Sequence, residues 1–411
     1  MSNLIVNENR LWDDLMVTAE FGAKDGGVCR LTLGPEDKAV RDWFSGQCNA
    51  LGLEMAVDEV GNMFALRKGR SDLPPIAMGS HLDTQPTGGR FDGILGVLAG
   101  LEVIRVLEDA GYVTEAPLML VNWTNEEGSR FNPSMLGSGV YCGVHERSYA
   151  DARQDEGGET FGDALEAIGY RGDRPAGSVE LGAMFELHIE QGPILEAEGA
   201  SIGIVQGVQG CRWYEVVLTG NSAHTGSTPM GMRQDALVAA SHLVVAVQAM
   251  ALAEEDAVGS VGFMEVLPNS TNVIPGVVRL NVDLRHPKDA VLDRMEASLQ
   301  ETVASLGVTA KITPISRTDA VEFDTECITS VRHAVSRLNM SARDIVSGAG
   351  HDAQHLAGHV PTTMIFVPST NGLSHNPAEY TAPAECANGA QVLLEAVLDY
   401  DRRMSDPVSA P

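Results

Sequence analysis

Four short runs in this chain of 411 residues hold the side chains best suited to binding metal or moving protons. The first is His81-Leu82-Asp83 followed by Gly88-Gly89-Arg90-Phe91-Asp92-Gly93. A neutral ring nitrogen of His81 would suit a metal, Asp83 would hold the other ring nitrogen, and Asp92 would add a carboxylate. The same residues also read as a satisfied histidine beside two helix-capping aspartates. The second run is Asn125-Glu126-Glu127-Gly128. Adjacent carboxylates can divide labour, one binding metal while its neighbour accepts a proton, although vicinal glutamates also occur on solvated turns. His188-Ile189-Glu190-Gln191-Gly192-Pro193 is the third, and Ser374-His375-Asn376-Pro377 the fourth. Taken together, His81, Asp92, Glu127, His188 and His375 form a mixed nitrogen and oxygen donor set suited to zinc, manganese or cobalt. It is large enough for two ions sharing one carboxylate. Glu126 is left beside Glu127 as a general base.

Other local patterns compete less well. His351-Asp352-Ala353-Gln354-His355 has the i, i+4 histidine spacing of helical zinc proteases, but Asp352 stands where the longer Glu is expected as base. Gly199-Ala200-Ser201-Ile202-Gly203 matches the serine-hydrolase elbow, yet Ile202–Val208 is β-like rather than the required helix start. Arg171-Gly172-Asp173 is an adhesion tripeptide only in name, and no dinucleotide or phosphate loop stands out.

The elements that must position these residues alternate. Pro75–Ser80 and Pro117–Trp123 read as short buried strands around a helix at Gly93–Gly111, whose Ile94, Val97, Leu98, Leu101, Ile104 and Leu107 fall at helical spacing. Strand, helix, strand predicts an α/β fold with a mixed or parallel sheet covered by helices, whose ligands bind beyond the carboxyl ends of the strands. Phe185, Leu187 and Ile189 alternate with Glu186, His188 and Glu190, so a strand there would show two carboxylates and an imidazole on one face. Asp151–Val179 is polar and Gly-rich and reads as a surface excursion, with room for a short helix. Residues 211–326 follow the order βαββαβ, the ferredoxin-like split-βαβ sandwich, inserted into a first domain formed by 1–210 and 327–411.

Composition narrows the partners. The chain has 28 Lys plus Arg against 56 Asp plus Glu, a formal net charge of −28, which repels phosphate backbones and anionic lipid. No nucleic-acid or membrane partner is therefore expected. The longest apolar stretch, Ile94–Leu107, is interrupted by Gly100, Glu102 and Arg105, short of a membrane span. Six cysteines without a C-x-x-C pair, and a start without a signal layout, suggest a cytoplasmic protein with no thiolate zinc site.

Five motifs in order along the chain resemble one family: Gly79-Ser-His-Leu-Asp-Thr-Gln-Pro86, Gly88-Gly-Arg-Phe-Asp-Gly93, Asn125-Glu-Glu-Gly128, Glu186-Leu-His-Ile-Glu-Gln-Gly-Pro193 and Asn371-Gly-Leu-Ser-His375. They resemble the di-zinc amidohydrolases that cleave N-carbamoyl groups. These are the L-carbamoylases, β-ureidopropionases and allantoate amidohydrolases, related to aminoacylases and dimeric metallopeptidases. The wording of Asp83-Thr-Gln-Pro86 is nearer the carbamoylase and β-ureidopropionase branch.

The resemblance implies a zinc-peptidase-like catalytic domain and an inserted lid that also forms a homodimer. It divides His81, Glu127, His188 and His375 between two metals bridged by Asp92, with Glu126 as base and Asp83 orienting His81. His224, in Gly220-Asn-Ser-Ala-His-Thr-Gly226, would polarise the scissile carbonyl from the partner subunit. Asn272 and Arg285 would hold the substrate carboxylate, and Gln191 would sit beside the substrate. The implied reaction is hydrolysis of an N-carbamoyl-L-amino acid or N-carbamoyl-β-alanine to amino acid, ammonia and CO2. Allantoate or ureidoglycolate hydrolysis, or aminoacylase or peptidase action, are the alternatives. Zinc is the expected metal, with manganese, cobalt or nickel able to replace it, and lid closure is expected about hinges near Gly207–Gly210 and Ser316–Glu326.

Overall fold

In the computed structural model, which describes residues 4–405, the chain divides into two units. One runs up to Gly207 and resumes at Glu322, and the other is Val208–Val321. The return crossing falls before the expected residue 326 because Val321–Glu322 already pairs as a strand in the sheet of the first unit.

That sheet is mixed. From one edge it runs Val321–Glu322, Ile202–Val208, Thr362–Val367, Ala183–Ile189, Ile76–His81, Leu118–Trp123, Met63–Arg67 and Glu54–Val57, and Ala342–Ser347 also pairs with Ile202–Val208. Thr362–Val367, Ala183–Ile189, Ile76–His81 and Leu118–Trp123 are mutually parallel neighbours, and every residue in them is buried. Such burial on both faces is what largely apolar strands predict in a parallel sheet. All four strands end on the same side, where the motif residues begin.

The helix Ile94–Asp109 packs on this sheet and is buried from Ile94 through Leu107. Its two buried charges, Glu102 and Arg105, are matched. Arg10 Nε lies 2.6 Å from Glu102 Oε2, and Arg105 pairs with Asp14, both partners coming from the helix Glu8–Ala19. A charge left unpaired in that layer would cost several kcal/mol, roughly, which explains why the two partners come together. The helix lies close to the sheet: a Cβ at Gly96 would stand 2.4 Å from the Leu187 carbonyl oxygen. Among the described residues no helix is long and apolar enough to cross a membrane.

The polar excursion is not wholly superficial. Phe161, Ala164, Leu165 and Ile168, on and just after the helix Phe161–Ala167, bury against Leu33, Val60, Phe131 and Leu136. Phe131 and Phe161 meet edge to face with ring centroids 5.5 Å apart. The i, i+3, i+4, i+7 spacing of those four residues carries the signal, which the surrounding Gly and charged residues dilute.

The second unit is a four-stranded antiparallel sheet in the order Val258–Leu267, Val277–His286, Gly210–Thr219, Thr309–Thr318. The helices Ala236–Leu252 and Asp289–Ser305 share a core with one face of it, built from Tyr214, Val216, Leu218, Val278, Leu280, Val282 and Leu284. Strand alternation sends Arg279, Asn281, Asp283 and Arg285 to the opposite face.

Candidate active site

The side chains of interest emerge where the parallel strands stop. His81 ends its strand, and Glu126 and Glu127 follow Leu118–Trp123 after a turn in which Asn125 has φ 60°. His188 is the penultimate residue of Ala183–Ile189. His375 lies on the loop after Thr362–Val367, and Asp92 immediately precedes Gly93, the cap of the helix Ile94–Asp109. Gln191 and His375 adopt left-handed backbone, with φ 57° and 54°, a cost that concentrates where geometry serves function.

Two triplets of donor atoms result, and Asp92 belongs to both. Its Oδ1 lies 3.2 Å from His188 Nε2 and 3.6 Å from His81 Nε2. Its Oδ2 lies 3.4 Å from His375 Nε2, which is also 3.4 Å from Glu127 Oε2. Two ligands of a tetrahedral ion with bonds of about 2.0–2.1 Å sit about 3.3 Å apart, so both triplets have the spacing of metal ligands. The tautomers fit as well. His81 Nδ1 is 2.9 Å from the Asp83 carbonyl oxygen and His188 Nδ1 is 2.9 Å from that of Ile189. A carbonyl only accepts, so each Nδ1 carries a proton and a neutral ring leaves Nε2 as the metal-binding atom.

The electrostatics describe a cavity that calls for positive charge. Burial alone would lower the His81 pKa, but Glu126, Asp92 and Asp83 raise it well above the usual imidazole value. Burial opposes ionisation of Asp92, yet His188 and His81 hold its pKa well below normal. Burial pushes Glu127 up to about 8, with Asp92 adding to the effect. Burial also raises Glu126 well above the ordinary carboxylate range, against the pull of His81. Glu126 Oε2 stands 3.6 Å from His81 Nε2 and belongs to neither triplet.

Asp83 acts here mainly on the glutamates. Its carboxylate accepts from the Glu126 N–H at 3.2 Å and the Glu127 N–H at 3.3 Å, and stands 3.8 Å from His81 Nδ1. Gln85 fixes Glu127 through its backbone N–H at 3.0 Å and side-chain Nε2 at 2.7 Å. Gln191 Nε2 reaches Asp92 Oδ2 at 2.9 Å, which places it beside the outer triplet.

The remaining three expected residues belong to the second unit. His224, on the short strand Ala223–His224, is exposed, and its Nδ1 accepts the N–H groups of Gly226 at 3.0 Å and Ser227 at 3.3 Å. The proton of its neutral ring is therefore on Nε2, as a hydrogen-bond donor requires. Asn272 adjoins it: the Thr225 N–H donates to the Asn272 carbonyl oxygen at 3.1 Å, and Ala223–His224 pairs with Val273–Ile274. Arg285 lies at the other end of the strand Val277–His286, paired with Asp283 at 3.0 Å. At about 3.3 Å per residue, the length of strand between Val277 and Arg285 is roughly 26 Å. Asn272, which precedes Val273–Ile274, thus lies toward the Val277 end of that strand and Arg285 toward its other end.

The outward face expected at 186, 188 and 190 is also divided. Glu186 is fully buried and accepts from Ser80 Oγ at 2.6 Å and the Ala353 N–H at 3.2 Å. Glu190 accepts the N–H groups of Ile194 and Leu195 at 2.7 and 2.9 Å. Only His188 turns to the metal triplets. His351 and His355 do not converge on one ion: His351 caps the helix Asp352–Leu356 and contacts Ser347 Oγ at 3.0 Å, whereas His355 faces Ser138 Oγ at 3.2 Å. His351 does meet His188 edge to face, with centroids 4.5 Å apart, and forms a buried group with it and Glu186. Ser80, which donates to Glu186, and Glu379, which accepts from Ser374 Oγ at 3.1 Å, are residues beside the site that pattern reading gave no role. Glu379 had one available signal, an acid four residues past His375.

Gly93 offers a local test. Its φ is 68°, and a Cβ there would stand 2.3 Å from His81 Cε1 and Nε2. Gly93→Ala should push the imidazole off its donor position and lower kcat/KM by about 10²-fold, the scale of a 1 Å misplacement. Metal analysis and circular dichroism should show a folded protein with depleted metal, and full activity in that variant would refute the role given to His81.

A mixed sheet with clustered imidazoles and carboxylates at the ends of its parallel strands, in a chain that also carries a small βαββαβ unit, defines a hydrolytic enzyme of the metallopeptidase-like class. The chain belongs to the peptidase family M20/M25/M40, whose model matches residues 77–399. It is 49% identical over 404 residues to an N-carbamoyl-L-amino-acid amidohydrolase of Rhizobium meliloti, covering 97% of each chain. It is 33% identical over 398 residues to an allantoate amidohydrolase of Bacillus subtilis, covering 94% of this chain and 96% of that one. The crystal structure of an amidase of the hydantoinase/carbamoylase family from Burkholderia multivorans superposes with a TM-score of 0.95 at 50% identity, covering 97% of this chain and 98% of that one.

Proposed function

We propose that the protein is a metal-dependent amidohydrolase that cleaves the carbamoyl amide of a small N-carbamoyl amino acid. The observation that carries this reading is the pair of donor triplets sharing Asp92, with the buried Glu126 next to them and outside both. His81 and His188 would hold one divalent ion, Glu127 and His375 the other, and Asp92 would bridge. Zinc suits the nitrogen and oxygen donors, with manganese, cobalt or nickel as substitutes. Such ions supply Lewis acidity, lowering the pKa of water toward neutrality and polarising a carbonyl.

The chain's own residues do the rest. Glu126 takes the proton of the attacking water and returns it to the leaving nitrogen. His224 donates from Nε2 to the oxyanion that develops on the ureido carbonyl, a contribution of about 3–4 kcal/mol for one good donor. Arg285 offers a planar fork that remains charged and fits the substrate carboxylate. Whichever C–N bond breaks first, the carbamate left behind loses CO2, giving amino acid, ammonia and CO2.

Because His224 and Asn272 adjoin each other far from Arg285, the two would reach a site together from a second copy, while Arg285 serves its own subunit. A homodimer through the second unit accords with its exposed apolar residues, Val238, Val245 and Leu252 on the helix Ala236–Leu252 and Phe263 on the edge strand Val258–Leu267. Closure of that unit on substrate would bend the segments Gly207–Gly210 and Ser316–Glu326. A cytoplasmic setting accords with six free cysteines.

The test is a turnover screen that reads both ammonia and free amine over N-carbamoyl-L-amino acids, N-carbamoyl-β-alanine, allantoate, ureidoglycolate and N-acetyl amino acids. Turnover of an N-carbamoyl amino acid with ammonia release is expected. Reaction with allantoate or ureidoglycolate alone would move the assignment to that branch, and amine release from N-acetyl substrates alone would make the enzyme an aminoacylase.

A further inference from the structure

We propose that Glu379 is a positioning residue for the outer metal ion, acting through Ser374 and the backbone of Asp92 to hold the Asp92 loop and the His375 loop at metal-sharing distance. The inference rests on the two-metal reading above. The two carboxylate oxygens of Asp92 face different partners: Oδ1 meets His188 and His81, while Oδ2 meets His375, Gln191 and Ser374. Glu379, 3% exposed, engages both loops around Oδ2. Its Oε1 accepts the N–H groups of Phe91 and Asp92, each at 3.1 Å. Its Oε2 receives Ser374 Oγ at 3.1 Å, and the same hydroxyl lies 2.9 Å from Asp92 Oδ2.

The clamp has little slack. A Cβ on Gly89 would stand 2.0 Å from Glu379 Oε1, so the Gly88–Gly93 loop lies flush against this carboxylate. One hydroxyl carries one proton, so Ser374 can donate to only one of the two carboxylates at a time. Asp92 Oδ2, which also accepts from Gln191 Nε2 at 2.9 Å, is the oxygen that Ser374 shares with Glu379, and it is the one that faces His375. Glu379 differs from an ordinary loop anchor because its hydrogen bonds join the loops that supply Asp92 and His375, and none of them reaches the strands that supply His81 and His188.

The test is zinc titration of the metal-free protein in competition with a chromogenic chelator, resolving two binding steps, with His375→Ala marking the step that belongs to the outer ion. Glu379→Gln should weaken that step by about 10–100-fold, the usual loss for an outer-shell partner, and leave the other step within about threefold. Ser374→Ala should weaken the same step in the same direction, with the melting temperature of the metal-free protein unchanged. Equal weakening of both steps, or wild-type affinity at both in the two variants, would overturn the proposal. If Glu379→Gln does not fold, Ser374→Ala decides alone. A wild-type protein that binds no zinc would instead overturn the two-metal reading on which the inference stands.

Discussion

Glu126→Gln is expected to lower kcat by about 10²–10⁴-fold while both ions remain bound and KM changes little, the range for loss of a general base. The expectation follows from its position. Glu126 stands 3.6 Å from His81 Nε2, is buried, and is absent from both donor triplets. The amide keeps the volume and removes only the capacity to take a proton, so the loss belongs to the chemical step and not to binding. Metal content by elemental analysis, together with kcat and KM on the best N-carbamoyl substrate, checks it. A kcat within tenfold of wild type would remove Glu126 from the mechanism. Loss of an ion would make it a ligand instead.

Asp92→Ala should abolish activity by removing the carboxylate common to both triplets. The effect should exceed the roughly 10–100-fold loss that outer-shell changes cause, because each ion loses a direct ligand and the anion between them. Wild-type protein stripped with a chelator should recover on addition of zinc or manganese, whereas the variant should not. Elemental analysis after dialysis against micromolar zinc should find both sites depleted. A variant that keeps two ions would show that Asp92 bridges nothing. Removing Asp92 also takes away the carboxylate that most directly raises the basicity of the buried His188, so that ring should be less basic in the metal-free variant.

The residues of the two triplets stood out in the sequence because His81 and Glu127 fall at or just after short apolar strands and His188 near the end of another. Ile76–His81 and Leu118–Trp123 are buried throughout, and chemistry-bearing residues stand out directly after such runs. The partition of ligands between ions was not legible, since it depends on which oxygen of Asp92 faces which ring. Nor was the fate of Glu186 and Glu190. Alternation put them on one face with His188, but Ser80 comes from a strand more than a hundred positions away, and only the folded sheet brings it to Glu186. Glu379 escaped notice because Phe91 and Asp92 reach it through backbone N–H groups, which leave no mark in side-chain patterns. The separation of Asn272 from Arg285 shows a different limit. Family motifs name the residues that meet a substrate without saying that one strand holds them apart, a point that only the register of Val277–His286 supplies.

The inserted unit departs from Ile202–Val208 and returns through Val321–Glu322, and these strands are neighbours in the catalytic sheet. Adjacent strands are about 4.8 Å apart, so the host's own scaffold already holds the ends of the insertion together. The host therefore bears almost no extra entropic burden for the length of chain between them, which grows only slowly with loop size in any case. An architecture of this kind can exchange its guest module for one of another size or shape while the catalytic scaffold stays the same, which leaves substrate choice and assembly free to diverge on a constant hydrolytic core.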